Sequence, residues 1–124
     1  LFNQKNGYPS KLTEDALFIL RLIIKTSNPT IISSLIEQHD IINITINMLK
    51  DGRLSKNMFM LVSEMAKAIP EVEETDLIRT AIQKFHECIK SDDEKFDIAI
   101  LAIYPMDITL KCIKDENTMI DYVK

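Results

Sequence analysis

Blocks of five apolar residues return along the chain at a fixed interval. Ala16-Leu17-Phe18-Ile19-Leu20 is followed 42 positions later by Met58-Phe59-Met60-Leu61-Val62, and 42 after that by Ile100-Leu101-Ala102-Ile103-Tyr104. At about 100° per residue, Ala16, Ile19, Leu20, Ile23 and Ile24 share one helix face, as do Met58, Leu61, Val62, Met65, Ala66 and Ile69. The opposite faces, with Phe18, Arg21, Leu22 and Lys25 in one copy and Met60, Ser63, Glu64 and Lys67 in the other, are half polar and half apolar. A recurrence near 40 residues is the length of a helical layer that becomes stable by stacking on its neighbours.

The elements predicted between these blocks are helical. Leu1 to Gly7 reads as the tail of a helix and its loop, with Lys5-Asn6-Gly7 echoing Lys50-Asp51-Gly52. A helix over Lys11–Thr26 is stopped by Asn28-Pro29, since proline cannot continue the amide ladder. Thr30 to His39 forms a shorter helix. Ile41 to Lys50 fits two periods: as a helix it buries Ile41, Ile42, Thr45, Met48 and Leu49, and as a strand Ile42, Ile44, Ile46 and Met48 alternate with polar residues. The lack of a second strand to pair with it favours the helix. Leu54 to Ile69 carries the second block and ends at Pro70, before an acidic connector, Glu71 to Glu74. Thr75 caps a helix with the stripe Leu77, Ile78, Ala81, Ile82, Phe85, Cys88 and Ile89. Ser91-Asp92-Asp93-Glu94 has capping-box spacing, and the third block, Phe96 to Tyr104, is cut short by Pro105. Thr109 to Lys114 and Thr118 to Lys124 would open another pair of helices.

Composition narrows the chemistry. The net charge of −4 and the dispersed lysines argue against nucleic acid as a partner. Cys88 and Cys112 lack Cys-x-x-Cys spacing and read as reduced thiols in a cytoplasmic or nuclear protein. Asn43-Ile44-Thr45 matches a glycosylation sequon, which its apolar surroundings make accidental. No apolar run reaches the 18 to 20 or so residues of a membrane span. The start at Leu1 suggests an excerpt of a longer protein. His86-Glu87-Cys88 is no metal site, because neighbouring helix residues point about 100° apart. With Gly7 and Gly52 the only glycines, no phosphate loop, dinucleotide fingerprint or nucleophile elbow can be built. We therefore expect no enzyme, metal, cofactor or small-molecule substrate. Phe18, Leu22 and Met60 instead form an apolar strip flanked by Arg21, Lys25 and Lys67, which suits an amphipathic or acidic segment of another protein.

The run from Ala16 to Gly52 resembles an armadillo repeat. It has a long apolar helix ending at Asn28-Pro29, a short helix containing Leu35-Ile36-Glu37, and a second long apolar segment ending at Lys50-Asp51-Gly52. Leu54 to Phe96 is similar to the next unit, and HEAT repeats share the same spacings. The resemblance implies an all-α fold: a right-handed α-α superhelix of about three armadillo-like repeats, the terminal ones incomplete, in one domain over residues 1–124. It also implies a groove that binds an extended peptide or another protein. The Trp and Asn with which nuclear-import receptors of that family clamp peptides have no counterpart here, where Arg21, Lys25, Ser63 and Lys67 take the outward positions. The expected function is a non-catalytic protein-interaction module that uses Phe18, Arg21, Leu22, Lys25, Met60, Ser63 and Lys67. The alternative is a structural segment that packs on its own parent chain or on a second copy.

Overall fold

The computed structural model describes residues 11–26, 28–69, 72 and 75–113, and the described residues form six α-helices with no strand. These are α1 (Lys11–Thr26), α2 (Pro29–His39), α3 (Ile41–Lys50), α4 (Lys56–Ala68), α5 (Leu77–Ile89) and α6 (Glu94–Lys111). The echo at Lys5-Asn6-Gly7, the acidic residues Glu71, Glu73 and Glu74, and the segment Thr118 to Lys124 lie outside the described residues.

Local chemistry sets most of the boundaries. The Asn28 side chain accepts the Ile31 amide at 3.0 Å and Pro29 follows at the first helical position, where its missing N–H is no loss. Asp40 alone separates α2 from α3. It adopts a left-handed conformation (φ 52°), returns its N–H to the Ile36 carbonyl and accepts Asn43 Nδ2 at 2.9 Å. Segment 41–50 is thus a helix, and Ile41, Ile42, Thr45, Met48 and Leu49 are buried along with Ile46. It closes with Gly52 at φ 78°, the Gly52 amide bonded to the Leu49 carbonyl and the Arg53 amide to the Met48 carbonyl. Ser55 caps α4 by accepting the Met58 amide. Thr75 accepts the Leu77 amide at 3.3 Å at the start of α5.

Two predicted features of α6 are corrected. The cap is Asp93, whose carboxylate accepts the Lys95 amide at 3.0 Å, whereas Ser91 donates back to the Glu87 carbonyl. Pro105 does not end the helix, and Thr109 belongs to its last turns rather than to a new helix. An interior proline costs about 3 kcal/mol. Here the ring is buried in a helix that packs on both α4 and α5, and tertiary packing supplies most helix stability.

The helices carrying the three apolar blocks pack in a row: α4 contacts α1 and also α6. Asn57 donates to Glu14 at 2.9 Å and Arg21 donates to the Met60 sulfur at 3.0 Å, so contacts advance in the same order along α1 and α4 and the two helices run parallel. A second row consists of α3 and α5, and α5 also packs on α4 and α6. The ring of Phe59, early in α4, meets that of Phe85, late in α5, edge-on at 6.2 Å. The core runs between the rows through Leu17, Ile24, Leu49, Phe59, Met65, Leu77 and Ile78.

The faces expected to be buried differ among the three blocks. In α4 the prediction understates burial, since Ser63 and Glu64 are inside together with the apolar residues. In α1 the inward line is Thr13, Leu17 and Ile24 with Leu20 half-buried, while Ile19 is 55% exposed and Ile23 is also outside. Among the described residues, α4 is the only helix with which α1 makes extensive contact, which leaves its other flank open. In α6 the inward line is Ala99, Ala102, Pro105, Met106 and Thr109, and Ile100, Leu101, Ile103 and Tyr104 face outward.

Candidate partner-binding surface

Phe18, Leu22 and Lys25 follow one another at helical spacing along the outer side of α1, and all three are exposed. Arg21 leans from that side across to α4. Its guanidinium carbon lies 4.9 Å from the Phe18 ring centroid, and Nη1 donates to Met60 Sδ at 3.0 Å. Nε is buried and has no hydrogen-bond partner. The structure therefore brings Phe18, Arg21 and Met60 into one cluster. Lys67, two turns along α4 from Met60, is exposed and paired with Glu64 at 3.1 Å. Ser63 is elsewhere: it is 3% exposed, with its hydroxyl donated to the Met60 carbonyl, and cannot reach a partner. Lys25 also edges a separate groove of about 530 Å³ between α1 and α2, opposite Glu37.

Met60 links this cluster to α6. A shallow cleft of about 480 Å³ has Lys56 and Met60 on one wall and Ile100, Leu101 and Tyr104 on the other. Tyr104 is 70% exposed. The sequence alone assigns no faces in this third block and does not name these α6 residues as surface. The signal that could have found them is the line of small residues Ala99, Ala102 and Thr109 at steps of three and seven, which belong to the buried side of α6 and leave its larger side chains outside.

A second apolar groove, about 530 Å³, lies at the far end of the row between α1, α2 and α3. It is lined by Ile19, Ile23, Leu35, Ile44 and Met48, with His39 at the rim. Its size suits a small ligand or a packed side chain, but Thr45, its interior polar residue, already donates to the Ile41 carbonyl.

Reactive groups are scattered rather than convergent. Among the described residues no cluster of three His, Cys, Asp or Glu side chains could hold a metal ion. His86 and Glu87 are exposed, Glu87 pairing with Lys84 at 3.3 Å, while Cys88 on the same turn is buried. Cys88 is a free thiol. Burial pushes the Cys88 thiol pKa up, with Lys95 pulling against it and Glu87 and Asp93 adding to it. No helix among the described residues is long and apolar enough to cross a membrane.

No family model, no curated protein and no solved structure matches the chain.

Proposed function

We propose that this chain is a non-catalytic protein-interaction module, a right-handed stack of armadillo-like helical units whose outer α1–α4–α6 surface holds a peptide or helix from a partner in a larger assembly. The observation that carries this reading is the run of exposed apolar side chains across the row. Phe18 and Leu22 stand on one side of Met60, Ile100 and Tyr104 on the other, with a guanidinium set among them. Contiguous exposed apolar area with a polar rim marks interaction sites on soluble proteins. Lys25 and Lys67 supply such a rim, and the buried, free thiol of Cys88 fits a cytoplasmic or nuclear setting.

The test is capture of interacting proteins by the wild-type chain, by Arg21→Glu and by Lys67→Glu, with Lys90→Glu on exposed α5 surface as the control. Proteins retained by wild type and by the control but lost from both groove variants, at unchanged helical content, support the assignment. Retention of every partner by all four removes it.

A second reading has its own support: the two ends of the row, at α6 and at the α1–α2–α3 groove, are both apolar and open. A structural segment that packs on its parent chain or on a second copy would show this. Size-exclusion chromatography with light scattering separates the two, a monodisperse monomer favouring the finished module and a concentration-dependent dimer or larger species favouring the structural segment.

A further inference from the structure

Resting on the interaction-module reading, we infer that the partner segment is an acidic amphipathic helix that lies across α1, α4 and α6 and sets a carboxylate on Arg21. A guanidinium offers five N–H donors in a planar fork, and carboxylates are the acceptors that match it. In this structure Arg21 is held by groups that leave the fork unmatched: an aromatic face at 4.9 Å, a thioether sulfur at 3.0 Å, and nothing at Nε. Thioether sulfur is a weak acceptor. Among the described residues Arg21 forms no ion pair, whereas Lys67, Lys84 and Lys111 pair with carboxylates within a turn on their own helices. The side chain also rests between Phe18 and Met60 with Nε enclosed, so an incoming carboxylate would meet the Nη edge of a cation that is already oriented.

The surroundings give the rest of the partner's chemistry. Apolar groups flank Arg21 on both sides, so the segment needs an apolar stripe beside its acid. Charge of both signs surrounds the strip, with Lys56 at the start of α4 on the cleft wall. Asp15 and Asp97 stand one turn ahead of Phe18 and Leu101, and the cations Lys25 and Lys67 lie toward the opposite ends of α1 and α4. Glu64, the acid nearest the cationic end, is already paired with Lys67. A helix laid across the row would therefore turn its acidic edge toward Arg21, Lys25 and Lys67 and its uncharged or basic edge toward Asp15 and Asp97. With packed helices 8–10 Å apart, three of them span roughly 20 Å, which about 13 residues of helix cover. The groove between α1, α2 and α3 carries no comparable sign of what would fill it.

The probe is a labelled synthetic helix of about 14 residues, with leucines at i, i+3, i+4 and i+7 and glutamates along one edge, compared with the same peptide carrying glutamine at every glutamate. Fluorescence anisotropy with the full chain at low salt should give at least about tenfold tighter binding of the glutamate peptide, a difference worth about 1.4 kcal/mol. In Arg21→Gln that ratio should fall to about twofold or less, and in Lys90→Gln it should persist. Equal binding of the two peptides by wild type would overturn the carboxylate inference and leave the interaction module standing. Binding of neither peptide removes both. An unchanged ratio in Arg21→Gln, with helical content preserved, would show that the acid is read by some other cation, and the assignment to Arg21 fails.

Discussion

Met58–Val62 in α4 and Ile100–Tyr104 in α6 are two copies of one hydrophobic block, yet one is the most enclosed part of the molecule and the other the most exposed apolar surface. Phe59 and Val62 are fully buried, while their counterparts 42 positions on, Leu101 and Tyr104, are 54% and 70% exposed. Hydrophobicity does not explain the difference, since every member of both blocks is apolar. Position in the row does. Among the described residues, helix α4 has α1 on one flank, α6 on the other and α5 across the core, whereas α6 has α4 and α5 on one side only. The outer side of α6 is therefore apolar surface left open among the described residues, and it is the surface on which the proposed interaction module depends.

The largest effects should come from breaking the covered copy. Phe59→Ala removes a buried ring packed edge-on against Phe85 and should destabilise the fold by about 3–5 kcal/mol. Tyr104→Ala removes a ring of similar size from the outer side of α6 and should change stability by about 0.5 kcal/mol or less. Urea denaturation of the two variants beside wild type measures both values. Similar losses in the two would mean that α6 is as enclosed as α4, and the contrast between them would disappear.

A smaller effect probes the line of small residues on the buried side of α6. Ala102 is fully buried at the contact side of α6, so Ala102→Leu must push the helix away or force a strained rotamer and should cost about 1–3 kcal/mol. Leu101→Ala, one residue earlier, should be nearly neutral. Should Ala102→Leu leave the midpoint unmoved, the small-residue line is not what sets the distance between α4 and α6.

Much of this was readable in advance where a residue type has one physical use. The helix at Lys11–Thr26 and its end at Asn28-Pro29 follow from proline chemistry. The turn at Gly52 follows from the left-handed conformation that glycine tolerates, and the buried set of α3 from its 3.6-residue period. What could not be read was the partner of each face. Ile19 and Ile23 satisfy the helical period as well as Leu17 and Ile24 do, and nothing along α1 says that only one flank is covered. Pro105 reads as a stop because local propensity ignores the two helices that hold α6 together around it. At the candidate surface, spacing brought out Phe18, Leu22 and Met60. It could not show that Arg21 bridges to Met60 while Ser63 turns inward, because both residues are polar and sit on the same side of a helical wheel.

The least of the expected effects appears only at alkaline pH, and it tests whether the inner side of α6 is as dry as its outer side is wet. Cys88 stands on α5, and its thiol is raised above the ordinary range chiefly by burial; Lys95 and Lys84 favour the thiolate, and Glu87 and Asp93 oppose it. When a folded-state pKa lies above the unfolded one, the folded chain keeps a proton that the unfolded chain has released. Stability is then complete below the unfolded value and declines as pH rises toward the folded one. The ordinary thiol titrates near 8.5, so the loss should begin at about that pH and grow above it. Cys88→Ala lacks the group and should show a shallower alkaline decline, even if its stability at neutral pH is offset by the smaller side chain. Tyrosine and lysine ionisation is common to both proteins and cancels in the difference. Parallel curves for wild type and Cys88→Ala would mean that water reaches the thiol between α5 and α6. The covered side of α6 would then differ less from its open side than the two apolar blocks suggest.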